Sequence, residues 1–438
     1  MKTVTKKYNS TIVYAFLVAL ALVVRLILMS IAAHNDLFVI NMFPSLLWRE
    51  NVVDILSYSK NEVNRAGFSF YPPLTYYTLS LFQYSYQLFS DTFIPWTDSL
   101  RHLYEGGFQG READYIKIVA NPNLQRDIFL AKTPYLIFDI GCILLLIVYI
   151  RKKLLDKKIL ILWLFNPVLL YGAYIFGQFD IIPTFFILLG FLLIRKRFAL
   201  GILSIGVAGA FKNYAFVFIF VLAFIYGKTL LDKIKLTIVG FIPTIIFAVP
   251  TLINNPNQAI FAVFNRILVQ SKRPLKGWAL YSQILHYLAL VSSYFIVTIL
   301  APLFSIKDKW RLSIGVCCIL ILLVLTLAPK TSFHYLFWTF PLIILWFREF
   351  KISAIILVVQ TISFASYKIL APELQAGLFT PLGPGFYNLP TFNQLIDQII
   401  PYRLVSSTGF LIFFFFNFWI ISTIILNLIF STEIAKRK

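Results

Sequence analysis

The sequence predicts an all-α, polytopic membrane protein with about twelve transmembrane helices, and three observations predict it. Hydrophobic residues make up 59% of the 438 and charged residues only 13%, about half the charged share of a soluble domain. Mean hydropathy is +0.80, and apolar runs long enough to cross about 30 Å of hydrocarbon as helices recur from residue 11 to residue 430. More than half of the Lys and Arg residues sit in short clusters beside those runs: Lys2/Lys6/Lys7, Arg151–Lys158, Arg195–Arg197, Lys228/Lys233/Lys235, Lys307/Lys309/Arg311, Arg348/Lys351 and Lys436–Lys438.

That distribution follows the positive-inside rule and places the seven clusters in the cytoplasm. It also accounts for the net charge of +20 without nucleic acid, because no basic stripe is interleaved with exposed aromatics. The chain then reads in order as one transmembrane domain, 1–438. Residues 11–33 cross outward as a retained helix, since no cleavage pattern follows them. Residues 34–127 form a large outer loop, and 128–150 return to Arg151. The aromatic stretch 72–90, opening Pro72-Pro73-Leu74, is read as a juxtamembrane or re-entrant helix, since a full crossing there would put the cluster at 151–158 outside. Beyond it the expected spans are 159–175, 181–194, 198–211, 214–227, 236–252, 283–305, 312–328, 335–347, 352–370 and 409–430. A basic outer loop covers 253–282 and a third outer loop 371–408. The expected location is the cytoplasmic membrane, with an active site facing outward.

Under this topology the unusual polar residues collect at one face: Asp36, Asp180, Lys212, Arg266, Lys272, Arg273, Lys276, Lys330 and His334. Ionisable groups next to hydrocarbon are costly, so their convergence marks a functional site. Asp36 has two readings: a partly desolvated carboxylate suited to accept a proton from an alcohol, or a solvated N-cap of the helix that follows. Asp180 follows Gly177-Gln178-Phe179 at an outer turn. Asp139, inside a span, reads as a helix–helix hydrogen-bonding group, and Arg25, inside the first span, as a side chain snorkelling outward. Cys142, Cys317 and Cys318 lie in apolar runs without metal or disulfide spacing. The basic loop 264–283 runs against the positive-inside trend; a phosphate, which Arg matches bidentately, and anionic lipid headgroups both fit it. No GxxxxGK[ST] segment is present to bind a nucleotide, so energy for any chemistry arrives with the substrate.

The order Asp36, Tyr71-Pro72-Pro73-Leu74-Thr75, Gly177-Gln178-Phe179-Asp180, Phe211-Lys212-Asn213-Tyr214 and Phe264-Asn265-Arg266 with Trp278 resembles the GT-C glycosyltransferases, which use polyprenyl-phosphate sugars. It is most like the dolichyl-phosphate-glucose-dependent α-glucosyltransferases and their prokaryotic relatives, over roughly the first two thirds of the chain. The family's later His-Glu-Lys order is not reproduced around Pro329–Tyr335. The resemblance implies inverting transfer of a hexose, glucose or mannose, to a lipid-linked or cell-envelope glycan at the outer face. With the polar residues singled out above, the expected site has Asp36 and Asp180 as catalytic groups and substrate contacts from Tyr71, Gln178, Lys212, Arg266, Lys272, Arg273, Lys330 and His334, the last lying near the family's His-containing turn but out of register with it. The partners implied are a polyprenyl-phosphate-linked sugar donor, a glycan or glycolipid acceptor and membrane lipids. No cofactor is required, with a divalent metal left open. The alternatives are a transporter or flippase of a lipid-linked sugar, which would show polar residues along a crossing path, and a polysaccharide polymerase or ligase.

Overall fold

The computed structural model describes residues 2–58, 71–105, 117–118, 120–256, 278–303, 308–327, 332–368, 376–383, 385–386, 389–390 and 392–436. Among them every regular element is helical. Helix α1 (Lys2–Ile31) is followed by the short helices α2 (Asn35–Asn41) and α3 (Leu46–Arg49), then by α4 (Pro73–Tyr86), α5 (Phe93–Glu105) and the long α6 (Leu124–Arg151). After α7 (Ile159–Leu164) the chain passes through a turn at Pro167–Leu169 into a π-helical segment, Leu170–Phe176. There follow α8 (Ile181–Ile194), α9 (Phe198–Phe211), α10 (Phe216–Tyr226), α11 (Leu230–Asn254), α12 (Trp278–Leu300) and α13 (Lys309–Leu327). A 3-10 helix, Phe333–Trp338, leads into α14 (Phe340–Phe347), then α15 (Phe350–Tyr367), α16 (Phe392–Asp397) and α17 (Tyr402–Lys436).

Among the described residues, 7 helical segments are long and apolar enough to cross a bilayer: Ile12–Ile31, Leu124–Arg151, Ile159–Phe176, Leu230–Asn254, Lys309–Leu327, Phe350–Tyr367 and Tyr402–Phe430. The chain is therefore an all-α integral membrane protein with several crossings. The expected spans at 181–194, 198–211, 214–227, 283–305 and 335–347 coincide with shorter apolar helices of 10–17 residues. The stretch 72–90 is helical over α4 only, 14 residues. Pro73 opens it at the first helical position, where a missing N–H costs nothing.

Local chemistry explains the other helix boundaries that matter for the site. Asn166 caps the turn after α7 by accepting from the amides of Val168 (2.8 Å) and Leu169 (3.0 Å), with Pro167 at the next position. Thr229 and Asp232 form a reciprocal capping box at the start of α11. Helices α8 and α9 touch backbone to backbone through glycines: a Cβ at Gly201 would stand 2.7 Å from the carbonyl oxygen of Gly190. Small residues are what permit such an approach between membrane helices. Large apolar side chains of α11, α12, α15 and α17, such as Ile238, Phe295, Ile355 and Phe415, are left on the outside, as a lipid-facing surface requires.

The charges inside the bundle correct one expectation. Arg25 does not snorkel; it is fully buried, and its Nε lies 2.6 Å from Asp139 Oδ2. Its NH1 donates to the carbonyls of Ala21 (3.0 Å) and Leu164 (2.8 Å). Asp139 also accepts from Trp163 Nε1 at 2.7 Å and from the Tyr174 hydroxyl at 2.8 Å. The buried carboxylate thus finds the interhelical partners expected of it and joins α1, α6, α7 and the π-helical segment. The three cysteines are buried and free.

Candidate functional site

The site assembles where the ends of α1, α9 and the π-helical segment meet the 3-10 helix before α14. Asp36 lies in the first turn of α2, directly after α1. It is not the cap of that helix: His34 occupies the cap position, and its Nδ1 accepts from the Asp36 amide at 3.2 Å. The solvated-cap reading of Asp36 is thereby corrected; its carboxylate Oδ1 lies 3.4 Å from His34 Nδ1, and Oδ2 turns to a tertiary contact. His34 is held in place by stacking on Phe176, with ring centroids 3.8 Å apart.

Gln178 reaches the site because the π-helical segment ends on Gly177 in the left-handed conformation, φ 84°. A Cβ there would stand 2.9 Å from the Leu37 Cβ of α2, so glycine lets the turn close against the helix that carries Asp36. Gln178 Nε2 then donates to Asp36 Oδ2 and to the Tyr71 hydroxyl, the latter at 3.1 Å. Its Oε1 lies 3.4 Å from Lys212 Nζ. One amide therefore links a carboxylate, a phenol and an ammonium that come from three separate parts of the chain.

Asp180 sits at the N-terminus of α8 with only 4% of its side chain exposed, whereas the Asp36 side chain is 36% exposed. Lys212, at the C-terminus of α9, places Nζ 2.6 Å from Asp180 Oδ1. The same oxygen accepts from Trp338 Nε1 at 2.9 Å, and Oδ2 faces His334 Nε2 at 3.9 Å. Lys212 is enclosed by the rings of Phe179, Tyr335, Trp338 and Tyr71, at 5.2 to 5.7 Å from its ammonium. Tyr335 and Trp338 stack at 4.1 Å, and Tyr214 stacks on the other partner of that pair, Trp338, at 4.2 Å. Thr75 Oγ1 donates to the Phe211 carbonyl at 3.0 Å and fastens α4 to the residue before Lys212.

Six expected site residues therefore come together: Asp36, Tyr71, Gln178, Asp180, Lys212 and His334. Arg266, Lys272, Arg273 and Lys330 lie outside the described residues. Sequence reasoning missed Trp338, which supplies the indole donor to Asp180. It also missed Lys132, which is fully buried on α6. The Lys132 ammonium donates to the carbonyls of Ala32, Tyr174 (2.6 Å) and Leu28 (3.4 Å). It thereby ties the end of α1, two residues ahead of His34, to the segment that presents Gln178. A lysine within an apolar run was the one available signal. Among the described residues no group of three His, Cys, Asp or Glu side chains is disposed to hold a metal.

Chemically, the arrangement offers one partly exposed carboxylate oriented by an amide, beside a second that is buried, ion-paired with Lys212 through Oδ1 and, among the described residues, without a hydrogen bond on Oδ2. No protein-family model matches this chain, and no curated protein does either.

Proposed function

We propose that the protein is a GT-C-type glycosyltransferase of about twelve crossings that moves a hexose from a polyprenyl-phosphate carrier to a glycan or glycolipid acceptor at the outer membrane face. The observation that carries the reading is the division of labour between the two carboxylates. Asp180 holds Lys212 and Trp338 on Oδ1, leaves Oδ2 buried without a hydrogen bond among the described residues, and has only 4% of its side chain exposed within a pocket of rings, so an incoming hydroxyl does not reach it. Asp36 is accessible and is held by Gln178, as a base that must meet an incoming hydroxyl requires.

In this reading the acceptor hydroxyl gives its proton to Asp36 as its oxygen bonds to the anomeric carbon. The bond from that carbon to the phosphate oxygen breaks on the opposite face, and the carrier leaves as polyprenyl phosphate. Cations at the departing phosphate stabilise the charge that develops there; Arg266, Lys272 and Arg273, with Lys330, are proposed for that task. Lys212, Tyr71 and His334 line the wall on which the sugar rests. A flippase would need a polar route through the bundle, and the polar groups buried deeper, Arg25 with Asp139 and Lys132, are closed off by their own partners.

The test is single-turnover transfer from a radiolabelled polyprenyl-phosphate hexose by reconstituted protein. Asp36→Asn keeps the shape and removes the proton acceptor, so transfer should fall by about 10²–10⁴-fold while donor binding survives. Asp180→Asn should act mainly on acceptor affinity. Retention of most activity by Asp36→Asn together with its loss in Asp180→Asn would overturn the assignment.

A further inference from the structure

The site above leaves unexplained a second gathering of charge at the other end of the same helices. Helix α8 starts next to Asp180 and ends at Arg195, about 20 Å away at 1.5 Å per residue. Helix α14 follows the Trp338 segment and ends at Arg348, while Arg311 lies in the first turn of α13. The fold brings these three guanidiniums onto two tryptophans. Arg195 and Arg348 lie 5.0 and 5.2 Å from the ring centre of Trp310, and Arg311 lies 5.1 Å from that of Trp346.

Both rings are fixed. Trp310 Nε1 donates to the Phe191 carbonyl at 2.7 Å. Trp346 is pressed against Gly315, where an added Cβ would stand 2.6 Å from the indole. Among the described residues no carboxylate comes within 4.0 Å of any of the three guanidiniums. Asp308 and Asp156 are turned to backbone amides, those of Arg311 (3.1 Å) and Lys158 (3.0 Å). Arg348 Nε is buried and has no hydrogen-bond partner among the described residues. Burial holds the Arg348 guanidinium below its ordinary range; Arg311 and Arg195 push the same way and Asp308 opposes them.

The backbone points in the same direction. Arg348 has φ 58°, a left-handed conformation at which glycine would be unstrained. Its amide and carbonyl are nevertheless held there, by Ile344 O and by the Asp156 amide, each at 3.1 Å. A bulky cationic residue kept in a strained position, beside two like charges and with no carboxylate within 4.0 Å among the described residues, is arranged for a ligand rather than for stability. Arg195 and Arg311 are exposed and Arg348 is half-buried, so a ligand can reach them, and all three are oriented on aromatic faces.

We propose that Arg195, Arg311 and Arg348 form a binding site for a phosphate group at the end of the bundle remote from Asp36 and Asp180. Guanidinium forks match phosphate oxygens bidentately. The site lies where apolar helices end, so the phosphate is that of an anionic lipid headgroup or a soluble phosphate reaching the same face. It does not depend on the proposed transfer reaction, because none of its residues belongs to that site.

The test uses the full-length protein purified in a neutral detergent and reads the shift in thermal unfolding midpoint. Short-chain phosphatidylglycerol, short-chain phosphatidylcholine and inorganic phosphate are titrated separately. The wild type should respond saturably to phosphatidylglycerol or to inorganic phosphate, and not to phosphatidylcholine. Half-saturation should move about tenfold or more in Arg195→Gln/Arg348→Gln, as loss of one charge-assisted bond requires. It should move less than about twofold in Arg151→Gln/Lys152→Gln, which removes the same charge from exposed positions outside the tryptophan cluster. Saturation by phosphatidylglycerol alone identifies a lipid, and equal saturation by inorganic phosphate identifies a soluble ligand; either supports the site. Arg348→Gly guards against a folding artefact, since glycine suits that backbone: it should unfold no earlier than wild type without ligand and lose the response. The proposal is overturned if the wild type shows no saturable response, if both double variants lose it equally, or if Arg348→Gly responds as wild type does.

Discussion

Replacing Lys212 by methionine tests whether the Asp180–Lys212 pair is part of the scaffold or only of the chemistry. The substitution leaves Asp180 in a pocket where 4% of its side chain is exposed, with one donor remaining on it, Trp338 Nε1 at 2.9 Å. His334 Nε2, at 3.9 Å, is beyond hydrogen-bond reach. Removing one partner of a buried pair costs about 3–5 kcal/mol, because the other charge stays buried and uncompensated. The methionine itself suits the cage, since a flexible thioether packs well among Phe179, Tyr335 and Trp338.

The companion variant Asp180→Leu/Lys212→Met removes both charges, and exchange of a buried pair for apolar residues of similar volume is near neutral or stabilising by about 1–4 kcal/mol. Its one fixed cost is the stranded indole N–H of Trp338, about 1–3 kcal/mol for an unsatisfied buried donor. The unfolding midpoint in detergent should therefore fall clearly in the single variant and recover for the most part in the double. Hexose transfer should be lost in both. If the double variant is as unstable as the single, the cost lies in packing around Lys212 and the uncompensated-charge argument is wrong.

Three further outcomes are expected. Arg25→Met strands Asp139 among α1, α6 and α7 and should destabilise by about 3–5 kcal/mol, while Arg25→Met/Asp139→Asn, which removes the charge and keeps an amide to bond Trp163 and Tyr174, recovers most of it, read as a difference in unfolding midpoints; equal midpoints for the two would refute the pairing argument. Gly177→Ala forces a Cβ to within 2.9 Å of Leu37 at φ 84°, a strain of about 1–3 kcal/mol, and should separate Gln178 from Asp36, seen as slower disulfide formation between cysteines placed at those two positions. Asp54 accepts hydrogen bonds from the Ser57 amide, Thr251 Oγ1 and Asn254 Nδ2 at 3.2, 2.6 and 3.2 Å; partial burial raises its pKa, but these bonds outweigh it and leave the carboxyl below its ordinary value. Because the folded value is the lower one, Asp54 contributes stability above the unfolded carboxylate range and loses it as pH falls through the folded value. The midpoint gap between wild type and Asp54→Asn should accordingly be full at neutral pH and close below about pH 4.

What the sequence made legible, and what it did not, follows from the range of each interaction. Apolar runs are local, so the described parts of the expected spans are largely helical, although seven segments alone among the described residues reach crossing length and 159–175 is broken at Asn166. Turn residues such as Gln178, Asp180 and Lys212 stood out because a polar group beside hydrocarbon is costly wherever it lies. Partnership is another matter. Arg25 and Asp139 are 114 residues apart, and no spacing rule tells a snorkelling arginine from a paired one. Trp338 was hidden by an aromatic content of 17%, against which a single indole carries no signal. Of the two readings open for Asp36, the capping one fails because His34, an uncommon cap residue, holds that position in α2. A capping Asp36 would spend its oxygens on backbone amides, whereas with His34 at the cap the carboxylate lies 3.4 Å from His34 Nδ1 and accepts from Gln178, the geometry on which the proposed base role rests. Lys132 then completes the arrangement from beneath, since its ammonium holds the carbonyl of Ala32 just before His34 and that of Tyr174 just before Gly177. The proposed base and the amide that orients it are thus set by one buried cation that touches neither.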